Sequence, residues 1–596
     1  MKIRWRSLEH NGVLLPPPYE PKGLSIRIKG KVIKLTPEQE EMAYAFAKKK
    51  DTPYIKDKVF VNNFLSDFLK LFPEEYRDAK FEDIDFSEVF AYVDKEKELK
   101  NLLSKEERKK ITNERKRLRD ELKDKYGYAI VDGVKYEIAN WIVEPPGLFM
   151  GRGDHPLRGR WKPRVYASDI IINIGEDAPI PENNWKAVVH DHESTWLAKW
   201  DDKLTGKEKY VWLADSSKIR QENDKAKYDT AIRLAKQIDK VLAKIEKGLK
   251  ARDEKKRKIA TVCYLIYRLA MRVGDEKDQD EADTVGATTL RVEHVMLNGN
   301  RIDFDFLGKD SVRWQKSIVI ESDMDALAYK NLEEFIKGKS KDDEIFAGIT
   351  SRHVNAFLSS IVEGLTAKAF RTYLATNVVN QYLLSIDGTI SKEPEYVKLY
   401  HAKMANLKAA ITCNHKRAVP KNFESSLEKK VLRLKELMKA REEIEERLKS
   451  IREVSTNNSK SKKGSKDEGT VKSNDTGKKS SKREKVKERE EKKLLNKLSK
   501  LDERIEKLRL QINLAQECRD YNLATSLRNY IDPRTFYSWC KHVGLDWAKI
   551  YTRSLQRKFQ WVKDTRMKWE SVVRAYAKNG NGLFSSNGNN GNHGNQ

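Results

Sequence analysis

The apolar and polar positions of the chain change period several times along its length. Up to about residue 215, short β-like runs alternate with basic turns and proline-rich punctuation, as in Leu15-Pro16-Pro17-Pro18 and Glu144-Pro145-Pro146-Gly147. Ile170-Ile171-Ile172 and Tyr210-Val211-Trp212-Leu213 are continuous apolar runs, as in buried strands. A strongly charged helical stretch over roughly 84–125 interrupts them. From about 222 to 250, Ile232, Ala235, Ile238, Val241 and Ile245 recur near the 3.6-residue helical period and predict the helix that leads into a second domain. Tyr264–Gly274 then reads as a buried helix, with Arg272 near its C-terminal end. Ile302, Phe304 and Phe306 alternate as a strand does, Gly308-Lys309-Asp310 forms a turn, and a second strand runs on to Ile320.

Two later segments show heptad-like spacing. Leu427, Val431, Leu434, Met438, Leu448 and Ile451 form one seam, and Leu494, Leu498, Leu501, Ile505, Leu508 and Ile512 the other. The Ser/Lys/Gly/Asn tract 455–481 between them is too polar to bury a core, so two antiparallel helices with a disordered tip are expected. After Asn522 the pattern is compact and aromatic-rich, with Trp539, Tyr551, Phe559 and Trp561, and the Gly/Asn-rich tail 579–596 reads as disordered. The expected architecture is α+β and multidomain, since one core rarely serves a chain this long. It comprises a mixed α/β domain 1–215, a mainly helical domain 216–423, a helical linker 424–512 and a small helical domain 513–578.

Composition narrows the partner. Lys and Arg number 118 against 91 Asp and Glu, a formal net charge of +27. Such an excess favours a polyanion, because cationic side chains that neutralise phosphates release condensed counterions. Cys263, Cys413, Cys518 and Cys540 lack CxxC spacing, so neither a zinc site nor a disulfide framework is suggested, and a reducing compartment fits. The start, Met1-Lys2-Ile3-Arg4-Trp5, has no apolar core of a signal peptide, no apolar run is long enough to span a bilayer, and no GxxxxGK[ST] phosphate loop occurs.

Several residues could carry chemistry, although each alone has an ordinary structural explanation. Arg272 could neutralise a helix end, and Lys309 could be a solvated charge at a hairpin tip. Phe370-Arg371-Thr372-Tyr373 opens a helix after Gly364-Leu365-Thr366-Ala367-Lys368. Cys413-Asn414-His415-Lys416-Arg417 sets a histidine among basic residues, with Pro420 expected to end the local helix. Ser526-Leu527-Arg528-Asn529-Tyr530-Ile531-Asp532-Pro533-Arg534 puts a tyrosine just before a proline-marked turn.

Together and in this order, Arg272, Lys309, Arg371, His415 and Tyr530 resemble the catalytic pentad of eukaryotic-type DNA topoisomerase IB. The resemblance extends through Trp5-Arg6-Ser7-Leu8-Glu9-His10, Leu148-Phe149-Met150-Gly151-Arg152-Gly153, Leu290-Arg291-Val292-Glu293-His294 and Phe306-Leu307-Gly308-Lys309-Asp310-Ser311. It implies a DNA clamp whose N-terminal half is a cap, joined to a catalytic domain akin to that of tyrosine recombinases, with the helix pair projecting beside the DNA. It implies an enzyme that relaxes supercoils of either sign through a 3′-phosphotyrosine on Tyr530, without ATP or an obligatory metal. Arg272 and Arg371 would hold the non-bridging phosphate oxygens, His415 would add a hydrogen bond, and Lys309 would be the general acid. Arg152 and Lys368 match positions that touch DNA near the break, and Arg152, Asp310 and Asn529 match those that meet camptothecin-like intercalators. The implied partner is double-stranded DNA, engaged by a monomer in an intracellular, chromosome-associated setting.

The departures are local. Met150 stands where the family usually has arginine, Arg528 lies one position from the usual lysine, and Leu374 replaces the asparagine after Phe-Arg-Thr-Tyr. No long charged N-terminal extension precedes Trp5, which suits an archaeal or viral relative better than a nuclear one. Two other readings remain. A tyrosine recombinase shares the chemistry but keeps a compact His-x-x-Arg box, whereas here Arg371 precedes His415 by 44 positions. A non-catalytic DNA-architectural clamp would account for the charge but not for the five residues.

Overall fold

The computed structural model describes residues 3–274, 284–461 and 476–577, with every side chain among them except those of Asp310, 454–461 and 476–485. They form two compact units, Met1–Ala369 with Arg553–Asp564 and Phe370–Thr552 with Thr565–Gln596. The tail 579–596 lies outside the described residues, as does most of the expected tip.

The first unit starts with two apolar cores. In one, the antiparallel strands Ser25–Ile28, Lys31–Lys34 and Ile84–Asp85 share an aromatic cluster with the helices Pro37–Ala47, Lys58–Phe68 and Ser87–Leu102. Thr36 and Gln39 close a capping box at the first helix, and Pro37 supplies a first-turn residue that needs no amide partner. Phe46 and Phe64 stack at 4.1 Å at the heart of this cluster. The other core joins the sheet Leu8–His10, Tyr128–Val131 and Val134–Glu137 to a four-stranded sheet. The runs at 170–172 and 210–213 enter the latter as strands Ile171–Asn173 and Glu208–Trp212. The charged stretch is two helices, Ser87–Leu102 and Lys105–Tyr126, and the second buries no side chain.

Two helices depart from the sequence reading. The helix expected over 222–250 is two, Lys218–Lys236 and Ile238–Leu249, parted at Gln237, whose ψ of 14° leaves the helical region. The helix expected to reach Gly274 is Glu254–Leu269, and Ala270 turns left-handed at φ 54°. The chain beyond it pairs elsewhere: the amides of Ala287 and Thr288 donate to the carbonyls of Arg272 and Val273. That pairing needs glycine on both sides, since a Cβ on Gly286 would lie 2.4 Å from the Gly274 Cα. The hairpin follows expectation closely, with Arg301–Gly308 and Val312–Val319 in register from Arg301↔Val319 to Gly308↔Val312. Its tip is a single 3-10 turn, Lys309–Ser311.

The second unit is helical. Ala367–Ser385 is its central helix, buried on every side from Ala369 to Asn377. Around it come the helices Glu395–Thr412, Leu523–Asn529, Pro533–Val543 and Trp569–Tyr576. Phe423–Ser461 and Thr476–Glu517 pack along a seam of Leu437, Ile444, Leu448, Leu501 and Ile505, with Leu434, Met438, Leu494, Leu498 and Leu508 beside it. The seam therefore uses Leu437 and Ile444, which the heptad assignment passed over. Arg441 pairs with Asp502 and Arg452 with Glu491, so the two helices run antiparallel. Both continue into the polar tract 455–481, to Ser461 and from Thr476, because extending an existing helix costs far less than starting one.

Candidate active site

Three of the expected residues meet inside the second unit. Arg371 lies in the second turn of the central helix and is only 4% exposed, an unusual place for a guanidinium. Its Nη2 donates to the carbonyl of Cys413 at 2.9 Å and reaches His415 Nε2 at 3.5 Å. That second contact lies at the edge of hydrogen-bond range, weak enough for a phosphate oxygen to replace it.

His415 follows the helix Glu395–Thr412. The helix is ended by Cys413 and by Asn414, whose φ is 53°, and not by Pro420 as its sequence suggested. Asparagine tolerates this left-handed conformation better than most residues. The His415 amide then donates back to Ala410, and its carbonyl accepts from Asn522 at 2.7 Å. A bridge between Lys416 and Tyr521 continues the contact, so the segment after the long helical pair is tied directly to the histidine.

Tyr530 closes the helix Leu523–Asn529, and its amide donates to Ser526 at 2.9 Å. Ser526 Oγ in turn donates to Asn406 Oδ1 at 2.7 Å, anchoring this short helix to the one that precedes His415. The tyrosine ring stands 4.9 Å from the Arg371 guanidinium carbon and 5.2 Å from the His415 ring. The chain turns at Tyr530 and Ile531, the turn that the proline marks, and Pro533 itself is the first residue of the helix Pro533–Val543, with Asp532 as N-cap. Sequence reading missed the supports of this cluster: Asn406, Thr376, Asp532 and Tyr576. Only Asp532 carried a signal, an N-cap residue immediately before a helix-starting proline.

Most of the other expected residues belong to the first unit. In the first unit, Arg272 is half-buried on the glycine-paired segment after its helix, and Lys309 is exposed at the hairpin tip. Arg152 and Lys368 are also exposed there, and the Arg152 carbonyl accepts from Ser311 Oγ at 3.4 Å. Asp310 sits in the tip by its backbone, and its side chain is outside those described. Asn529, in the second unit, is exposed beside Tyr530. Met150, where the resemblance led one to expect a cation, packs against the first aromatic core.

Three family models match in succession. The DNA binding fragment of eukaryotic DNA topoisomerase I covers residues 3–213, its catalytic core 216–448, and the C-terminal topoisomerase domain 502–571. DNA topoisomerase 1 of Homo sapiens is 36% identical over 577 residues, covering 94% of this chain and 71% of the human protein. The chain belongs to the eukaryotic DNA topoisomerase I family. DNA topoisomerase 1 beta of Arabidopsis thaliana is 40% identical over 574 residues, and DNA topoisomerase 1 of Drosophila melanogaster 37% over 573. The chain spans 59% and 54% of the length of those two relatives. Within the family matches, Arg272, Lys309, Arg371 and His415 fall in the catalytic core and Tyr530 in the C-terminal domain. Among the described residues no group of three or more His, Cys, Asp or Glu could hold a metal ion, and no helix is long and apolar enough to cross a membrane.

Proposed function

We propose that the chain relaxes DNA supercoils of both signs by nicking one strand through Tyr530 and resealing it. The observation that carries this reading is the packing of the Tyr530 ring against Arg371 and His415 in a buried cluster. The phenol gives its proton to solvent water as its oxygen attacks a backbone phosphorus, a bond forms from tyrosine to phosphorus, and the bond to the 5′ oxygen breaks. The departing oxygen takes a proton from Lys309. Charge grows on the non-bridging oxygens as the pentacoordinate state forms, and the planar forks of Arg371 and Arg272 suit it, with His415 adding a donor. An anionic diester repels an anionic nucleophile, and a phenol with an ordinary pKa near 10 attacks poorly, so these cations make the step feasible. The new ester resembles the old in energy, so the 5′ hydroxyl reverses the step without a nucleotide.

In this reading residues 1–215 are a cap, 216–423 the catalytic core, 424–512 a coiled-coil linker that slows strand rotation, and 513–578 the domain bringing the nucleophile. The partner is duplex DNA, gripped by a monomer mostly through phosphates, as an enzyme without a target sequence requires. Arg152, Lys368, Asp310 and Asn529 would line the DNA near the break. Relatives in plants and animals make a chromosome-associated nuclear setting the favoured one.

The test is supercoiled plasmid with EDTA and no ATP. Both positively and negatively supercoiled DNA should relax, and denaturant should trap protein on a 3′ end. Tyr530→Phe should bind the plasmid and leave it supercoiled. A requirement for ATP or a metal, or strand exchange at one sequence without relaxation, would overturn the proposal.

A further inference from the structure

Around the backbone that follows Tyr530 lie buried hydroxyls and a carboxylate that the proposed chemistry does not use. Residues 530–532 join two helices, Leu523–Asn529 and Pro533–Val543, and this junction sets the direction of the tyrosine. Thr376 brackets it: its Oγ1 donates to the Tyr530 carbonyl at 3.2 Å and accepts from the Asp532 amide at 3.0 Å. Thr376 is fully buried on the same helix as Arg371, so one rigid element carries the guanidinium and grips the backbone of the tyrosine.

Asp532 ties the junction to the C-terminal helix. Its buried carboxylate accepts from Arg534 Nη2 at 2.8 Å and from the Tyr576 hydroxyl at 2.7 Å. Tyr576 is fully buried at the end of Trp569–Tyr576. The match to the C-terminal family model stops at residue 571, so Val572 and Tyr576, both buried, lie past it. Burial, reinforced by Asp532, holds the Tyr576 phenol well above its ordinary pKa, and it stays a neutral donor. A phenylalanine would fill nearly the same space, so apolar packing alone does not call for this hydroxyl. Losing it would leave the Asp532 carboxylate one donor short in a buried setting.

We propose that Thr376 and Tyr576 are positioning residues for Tyr530, with the helix Trp569–Tyr576 acting as a latch that fixes the junction 530–532 and so the phenol against Arg371 and His415. The proposal rests on the reading of Tyr530 as the nucleophile. A displacement of about an ångström at the attacking atom can cost on the order of a hundredfold in rate.

The experiment uses the full chain and a duplex oligonucleotide whose cleaved strand releases a short 5′-hydroxyl fragment, making cleavage irreversible. Single-turnover adduct formation is measured at saturating protein, alongside the DNA Kd and the Tm. Tyr576→Phe should cleave about tenfold slower and Thr376→Val about thirtyfold slower, each with a Kd within about twofold of the parent. Thr376→Ser, which keeps the hydroxyl, should restore the rate to within about threefold. A role in stability alone would lower Tm and leave the rate of the folded, DNA-saturated protein unchanged, so parental rates in the folded variants overturn the latch. A serine variant as slow as valine also overturns it. If Thr376→Val does not fold, Tyr576→Phe decides the matter. Tyr530→Phe separates the two claims: an adduct there overturns the nucleophile and the latch with it, whereas no adduct there plus parental rates in the others overturns only the latch.

Discussion

In the proposed reaction, the cluster around Tyr530 and the hairpin bearing Lys309 would solve the same problem, presenting a charged or polar group to DNA, in opposite ways. Arg371, His415 and Tyr530 are each less than a tenth exposed and are held by helices that pack on every side. Lys309 is exposed on a one-turn tip, held by strand pairing below it and by the contact of Ser311 with the Arg152 carbonyl. The difference teaches which groups must be fixed before DNA arrives. Groups that stabilise developing charge work best when already oriented in a dry site, since reorganising them during the reaction would cost the stabilisation they provide. A proton donor must follow a departing oxygen, and a flexible lysine at a turn can do so.

The largest effect is expected at Arg371. Arg371→Ala should lower the single-turnover cleavage rate by about 10³-fold, the upper range for a lost transition-state donor. It should also lower stability by about 2 kcal/mol in denaturant titrations, because the Cys413 carbonyl loses a charged donor. Arg371→Lys should recover less than half of the logarithmic loss, since a point charge cannot copy the planar fork. A lysine variant of parental rate would show that only charge matters at this position.

Lys309→Ala should slow cleavage by about 10²-fold, as loss of a general acid does, and leave the Tm unchanged. Replacing the 5′ oxygen at the break by sulfur, which leaves without protonation, should erase that deficit for Lys309→Ala and not for Arg371→Ala. A sulfur substrate that rescues neither variant would remove the acid role from Lys309.

A buried charge outside the candidate residues bears on the same contrast from the stability side. Asp325 is fully buried at the start of the helix Asp323–Ile336. Burial alone would raise its pKa, but hydrogen bonds from Tyr264 and Ser322 and the nearby Arg268 hold it below the usual carboxylate value. A depressed folded pKa adds stability above the unfolded value and loses it as pH falls through the folded one. Asp325→Asn should therefore cost about 2 kcal/mol at pH 7, and the gap should close as pH drops below about 4. The cleavage rate of the folded protein should not change. A gap that persists at low pH would mean that packing, not charge, sets the cost.

The smallest effect is expected at Gly153, whose φ of 59° disfavours any side chain and whose added Cβ would lie 2.1 Å from Ser311 Oγ. Gly153→Ala should cost about 1 kcal/mol and disturb the hairpin tip, slowing cleavage about threefold. Serial removal of Ser311 Oγ in Gly153→Ala, Ser311→Gly should return part of the rate; no return would show that the backbone strain alone is responsible.

Much of the fold was legible in the residues. Alternation at Ile302, Phe304 and Phe306 produced the strand and its register because one face is buried and the other is not, and the apolar seams of the two long helices announced their pairing. Local signals were weaker at boundaries. Nothing near Ala270 or Gln237 announces a break, because the break at Ala270 goes with pairing to a segment many residues away. The apolar count likewise missed Leu437 and Ile444, since a heptad register can be shifted without changing how amphipathic the helix looks.

The candidate residues divide in the same way. Order and motif in the sequence named Arg371, His415 and Tyr530, and the long spacing between them could not say that they meet. Tertiary structure decided that, by wrapping the chain after the long helical pair back onto the corner at Asn414 and setting Tyr530 against the helix of Arg371. It also decided what supports them, for Thr376, Asn406 and Tyr576 are ordinary residues along the chain and acquire meaning only through partners 156, 120 and 44 positions away. Charge, period and motif are written locally and can be read locally. A hydrogen bond between distant segments exists only once the apolar faces have closed around it.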